Sequence, residues 1–92
     1  MHYQSKKSFK KISEVKQVFY VKPLQDGEYG IFDRADELVL SGERESISQQ
    51  LAQASGMRFI EAISIIDQLD KGRAHVSVIL NPYFLKDVLK LL

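Results

Sequence analysis

The fold of this chain depends most on residues 46–69, which read SISQQLAQASGMRFIEAISIIDQL. Ile47, Leu51 and Ala54 follow one another at spacings of four and three, so a helix would carry all three on one face. Gly56 comes directly after this run, where glycine commonly ends a helix because it accepts positive φ. A second apolar run begins beyond the glycine. The stretch therefore predicts two consecutive helices with Gly56 between them.

Polar residues and glycine mark the ends of these two helices. Ser46 and Gln49 have the form of an N-terminal capping box, which predicts that the first helix begins there. The second helix is expected from about Arg58 to Lys71, with Gly72 ending it. Its apolar residues lie on nearly every side, and such a helix is normally buried on two sides. We expect those sides to contact the sheet and either a last helix or a partner.

Two segments upstream predict strands. Residues 17–23, QVFYVKP, are β-branched and aromatic, as strands are. Phe19 and Tyr20 should point to opposite faces of that strand, so that one lies in the core and the other on the sheet surface. Residues 28–42 predict a hairpin with its polar tip at residues 34–36. Together they predict a three-stranded antiparallel meander.

The remaining residues predict one more strand and a last helix. Residues 75–80, HVSVIL, return to strand character. Asn81 can cap a helix, and Pro82 at the first helical position costs no hydrogen bond, so a helix is expected over residues 83–92. The predicted fold class is α+β, with the meander, a two-helix unit, a further strand and a C-terminal helix.

The composition is that of an ordinary soluble protein. The chain has 92 residues, of which 45% are hydrophobic and 27% charged, and a chain of this length forms one domain. Cysteine is absent, which removes disulfides, thiolate metal sites and cysteine nucleophiles. No apolar run approaches the roughly 18 residues that a membrane span needs. The sequence therefore predicts a cytoplasmic protein.

The net charge of +1 hides an asymmetry along the chain. Residues 1–22 hold six lysines and one glutamate, whereas residues 23–92 hold seven basic and eleven acidic residues. A basic segment on an acidic body attracts phosphate or an acidic protein face. We expect a single domain over residues 1–92, in which residues 1–14 form a basic, partly disordered arm.

Residues that carry chemistry are scattered along the chain. The two histidines, His2 and His75, have no carboxylate or serine partner at a readable spacing. The carboxylates lie in predicted turns and on helix surfaces, and the five glycines stand singly, with no phosphate-binding loop. The sequence therefore predicts a protein that is not an enzyme and binds no cofactor or metal.

Residues 46–80 resemble the helix-turn-helix motif of winged-helix DNA-binding proteins. In such motifs a leucine and an alanine of the first helix pack inward and a glycine makes the turn, as Leu51, Ala52 and Gly56 would here. The apolar residues of the second half that match the motif are Met57, Ile65, Ile66 and Leu69. Residues 75–80 are similar to the strand that runs into a wing. The resemblance implies a transcriptional regulator.

The DNA contacts of such a regulator would come from the second helix and the lysine arm. The residues concerned are Lys6, Lys7, Lys10, Lys11, Arg58 and Ser64. However, the second helix carries Phe59, Ile60 and Ile63 where a base-reading helix carries hydrogen-bonding side chains. Acidic residues surround Arg58 in the sequence and would repel phosphates.

A protein partner, or a second copy of the chain, is therefore the favoured prediction. Contiguous exposed apolar surface often marks an interface. The candidate interface residues are Phe59, Ile60, Ile63, Phe84, Val88 and Leu91. We expect a small non-enzymatic protein that regulates or inhibits its partner, by analogy with accessory proteins of phages and mobile elements. DNA binding is the alternative.

Overall fold

Two helices cover one face of a four-stranded antiparallel sheet in the computed structural model, which describes residue 11 and residues 14–85. The strands are β1 Gln17–Pro23, β2 Glu28–Phe32, β3 Leu38–Glu43 and β4 Val76–Leu80. The helices are α1 Arg44–Ser55 and α2 Phe59–Asp70. The predicted α+β class is confirmed.

The sheet has the order β3-β2-β1-β4, so the first three strands form the predicted meander. Val21 of β1 lies opposite Ile31 of β2, which lies opposite Leu40 of β3. The chain then passes through both helices and returns as β4 beside β1, where Val78 lies opposite Phe19. The return of the last strand to the sheet is also confirmed. It makes β4 one edge of the sheet and β3 the other.

The core lies between the inner face of the sheet and the helices. Side chains alternate between the two faces along a strand, so each strand contributes every second residue. Phe19 is buried and Tyr20 is half-buried on the outer face. This confirms the prediction that the two neighbouring residues point to opposite faces of the strand. The buried apolar side chains are Phe19, Val21, Tyr29, Ile31, Leu40, Ile47, Leu51, Ala54, Ala62, Ile65, Ile66, Leu69, Val76, Val78 and Leu80.

The first helix begins earlier than predicted. It starts at Arg44, directly after β3, and its N-cap is Glu43, which makes no side-chain capping hydrogen bond. Ser46 and Gln49 lie inside the helix, so the predicted capping box is wrong. Glu43 is already extended as the last residue of the strand, and the chain turns into the helix without a loop. The predicted end is confirmed, because Gly56 adopts φ 83°.

The second helix closely follows its predicted limits. Arg58 is its N-cap, and the Glu61 carboxylate accepts a hydrogen bond from the Arg58 backbone N–H at 2.9 Å. The reciprocal bond of a capping box cannot form, since a guanidinium group has no acceptor atom. Beyond the helix, Gly72 adopts φ 112°.

The chain after β4 differs from the prediction. The side chain of Asn81 accepts a hydrogen bond from the Tyr83 N–H at 2.9 Å, so the predicted cap exists. It begins only a single 3-10 turn, Pro82–Phe84, after which Leu85 is extended. The prediction of a helix from Tyr83 is therefore wrong for the first turn of that helix. Half-buried Leu85 packs against the core instead. Residues 86–92 lie outside the described residues.

The predicted basic arm also lies largely outside the described residues. Only Lys11 and Glu14 are described among residues 1–14, and the Glu14 N–H donates to the Lys11 carbonyl at 2.9 Å. Within the described part of the chain, neither helix has the length and apolar character needed to span a membrane.

Candidate functional site

Three apolar residues form a surface at the start of α2. Phe59 is 41% exposed and Ile60 is 67% exposed, while Ile63 is half-buried. Residues three and four apart are neighbours on a helix, so Ile63 adjoins both of the others. We call these three residues the α2 surface. The structure thus brings together three of the predicted interface residues.

The α2 surface is exposed because only one side of the helix packs into the core. The buried residues of α2 are Ala62, Ile65, Ile66 and Leu69. Within the described residues α2 is therefore buried on one side, and the expected contact on its second side stays a prediction. Periodicity showed that apolar residues surround the helix, but it could not show whether a second layer covers them. The last helix or a partner was expected to supply that layer, and residues 86–92 of the last helix lie outside the described residues.

Polar side chains border the α2 surface. The side chain of Arg58 is 79% exposed, and its guanidinium group lies 4.0 Å from the Glu61 carboxylate. Ser64 is exposed one turn farther along the helix than Ile60. An apolar centre with a polar rim is the usual anatomy of a protein interface.

The other predicted interface residues do not extend this surface within the described chain. Phe84 is exposed in the 3-10 turn, where its carbonyl accepts a hydrogen bond from the Gln53 side chain of α1 at 2.7 Å. This hydrogen-bond partner belongs to α1 and not to α2. Val88 and Leu91 lie outside the described residues.

The predicted nucleic-acid contacts are only partly described. Arg58, Ser64 and Lys11 are exposed, whereas Lys6, Lys7 and Lys10 lie outside the described residues. The strand after α2, which the resemblance placed in a wing, is β4 and pairs with β1 across five residues.

A polar network that the sequence did not predict joins three elements. Arg44 at the start of α1 pairs with Asp67 of α2 at 2.6 Å and with Asp70 at 3.2 Å. The hydroxyl group of Tyr29, from β2, donates a hydrogen bond to Asp70. The bonded pairs lie 23 to 41 positions apart in sequence. Acidic residues on a helix are usually solvated, so no local pattern marks the network.

The network shifts the protonation of two of its members. The hydrogen bond to Asp70 raises the pKa of Tyr29 above its ordinary value, and burial and the negative charge of Asp70 act in the same direction. The hydrogen bond to Asp67 raises the pKa of Arg44, which is charged at any physiological pH. The network favours the protonated form of Tyr29 and links β2, the start of α1 and the C-terminal half of α2.

Of the two histidines, His75 lies within the described residues. His75 packs edge-on against Tyr20 with ring centroids 5.6 Å apart, and the described residues include no cluster of three potential metal ligands. Comparisons of the chain with protein-family models, with curated proteins and with solved structures find no match.

Proposed function

We propose that this protein is a small non-enzymatic binding protein that regulates or inhibits a protein partner through the α2 surface. The observation that carries the proposal is the exposure of Phe59 and Ile60 side by side on the first turn of α2. Large apolar side chains that are exposed singly are common, but adjacent ones mark interaction sites more often.

The gain from covering this surface is substantial. Fully burying an isoleucine or phenylalanine side chain is worth about 1.5–3 kcal/mol relative to exposure. Ile60 has two-thirds of its surface exposed and Phe59 two-fifths. A partner that covers both side chains would therefore gain a large part of this free energy from each of them. Half-buried Ile63 and the packed side of α2 hold the two side chains in place, which reduces the entropy lost on binding.

The test compares two lysine substitutions. Ile60→Lys introduces a charge at the centre of the α2 surface, and Gln49→Lys introduces the same charge at an exposed position of α1. Both variants should keep the stability of the wild type within about 0.5 kcal/mol, since neither residue is in the core. Affinity purification with cross-linking, from the cells that express the protein, should recover a protein that Ile60→Lys loses and Gln49→Lys retains.

Calorimetry with that purified protein should then show at least about a tenfold loss of affinity for Ile60→Lys, as expected for a central interface residue. If every recovered protein binds the two variants equally, the α2 surface is not the binding site and the proposal fails.

DNA binding is the second candidate, and the exposure of Arg58 favours it. This arginine stands at the N-terminus of α2, the part of a recognition helix from which side chains reach base edges. Fluorescence anisotropy of labelled genomic DNA fragments decides between the candidates. Binding that persists at physiological salt and is lost in Arg58→Ala would favour DNA, because purely electrostatic binding weakens steeply as salt rises.

A further inference from the structure

The two edges of the sheet differ in how they are protected. An edge strand presents unpaired N–H and C=O groups, and proteins usually block such edges with charges, proline or a bulge. The β3 edge has these features: its register with β2 shifts between Ile31 and Phe32, and exposed Glu37 and Glu43 stand at its two ends. The β3 edge is therefore unsuited to pairing with another strand.

Within its five residues, β4 has none of these features. Its sequence, VSVIL, contains no charge and no proline, and it pairs with β1 in five consecutive positions without a bulge. Among the described residues, nothing pairs with its outer side. On its outer face Ser77 and Ile79 point away from the core, and Ile79 is 59% exposed.

Apolar surface continues around this edge on both faces of the sheet. A groove of about 630 Å³ is lined on the helical side by Met57 and Ile65 and on the outer side by Val18 and Ile79. A strand added at this edge would therefore be flanked by apolar side chains above and below. The occupant that suits this edge is an uncharged strand whose inner face is apolar.

We propose that β4 pairs with β4 of a second copy of this chain, in antiparallel orientation, to form a continuous eight-stranded sheet. The strand β4 itself meets this requirement, since it is uncharged, its inner face is apolar, and Ile79 adds an apolar side chain beside Ser77 on the outer face. This surface is separate from the α2 surface, so the inference stands whether or not the proposed function does.

Symmetry and charge both favour the antiparallel orientation. A two-fold axis perpendicular to the sheet keeps the helices of both copies on the same side, so the inner face carrying Val76, Val78 and Leu80 continues from one copy to the next. Arg73 precedes β4, whereas residues 81–85 after it carry no charge. Antiparallel pairing places the two arginines at opposite ends of the interface, while parallel pairing would set them side by side.

Sedimentation equilibrium of the full chain, from micromolar to millimolar concentration, tests the proposal. The wild type should form a dimer, and Ile79→Lys should raise its dissociation constant by at least about tenfold, because lysine on an edge strand opposes pairing. Leu38→Lys is the matched control, since Leu38 is 52% exposed on the opposite edge strand. It should leave the dissociation constant unchanged.

Three outcomes would overturn the inference. The wild type could be monomeric at every concentration, or Ile79→Lys could dimerise as the wild type does. Alternatively, Ile60→Lys in place of Ile79→Lys could dissociate the dimer, which would assign self-association to the α2 surface.

Spin labels give a second test that does not depend on the stability of Ile79→Lys. The chain has no cysteine, so Ser77→Cys in β4 and Ser41→Cys in β3 each create one labelling position. In the proposed sheet the two β4 strands are one spacing of about 4.8 Å apart, and the two β3 strands are seven spacings, or roughly 34 Å, apart. Pulsed electron resonance should therefore find a short distance at position 77 and a long one at position 41. Equal distances, or the reverse order, would contradict the proposal.

Discussion

At the scale of single residues, Tyr29 is a core side chain that carries a titratable group. It is 8% exposed and donates a hydrogen bond to the carboxylate of Asp70. The same carboxylate lies 3.2 Å from the guanidinium group of Arg44, so it accepts hydrogen bonds from both a phenol and a guanidinium group. Because Asp70 stabilises the protonated phenol, the pKa of Tyr29 is raised and the folded protein holds this proton to higher pH than the unfolded chain does.

This shift predicts how stability depends on alkaline pH. Below about pH 10 Tyr29 is protonated in both states and contributes no pH dependence. As the pH rises above that value the unfolded chain releases the proton first, so the free energy of unfolding falls. Tyr29→Phe should remove this contribution and give a shallower fall than the wild type in urea titrations between pH 9 and 11.5. Tyr83→Phe, which removes an exposed phenol, is the control and should retain the slope of the wild type.

At the scale of elements, the junction between α1 and α2 depends on Gly56. Its φ of 83° is left-handed, and its backbone N–H donates to the Ala52 carbonyl at 3.0 Å. A Cβ atom at this position would contact nothing within 4 Å, so the cost of a side chain is conformational and not steric crowding by neighbours. The junction therefore offers a test of backbone strain alone.

Gly56→Ala should lower the free energy of unfolding by about 1–2 kcal/mol, since alanine adopts the left-handed conformation at that cost. Gly56→Asn should lose less, because asparagine tolerates this conformation better than other residues with a side chain. Urea unfolding of the three proteins measures both differences. Equal losses for alanine and asparagine would show that φ is not the cause.

The elements themselves were largely predictable. Alternation and β-branching predicted β1, the β2–β3 hairpin and β4, because these patterns depend on residues close together in sequence. The start of α1 was not predictable from Ser46 and Gln49. The helix begins directly after β3, whose last residue, the extended Glu43, is the N-cap. The 3-10 turn at Pro82–Phe84 was missed for a similar reason. Leu85 is extended and packs against the core, and a pattern of neighbouring residues does not reveal such a distant contact.

At the scale of the whole molecule, the two candidate binding surfaces arise because the described residues form two layers, one of helices and one sheet. One helical layer covers the inner face of the sheet, which leaves the far side of α2 exposed at Phe59 and Ile60. The order β3-β2-β1-β4 places an apolar strand at one edge. The α2 surface and the β4 edge share no residue, so the proposed partner binding and the proposed pairing of β4 with a second copy can be tested separately.

The sequence by itself determined the class of the fold, the type and approximate limits of most elements, and the apolar character of α2, because each of these depends on residues within a few positions of one another. Only the tertiary structure decided which apolar residues are exposed, which strand forms the free edge and how Tyr29, Arg44 and Asp70 meet. Those outcomes depend on contacts between distant parts of the chain, such as Val78 of β4 with Phe19 of β1. Ile60 and Ile66 are the same residue type on one helix, and the local sequence does not distinguish them. In the folded protein Ile66 is buried, whereas Ile60 is exposed.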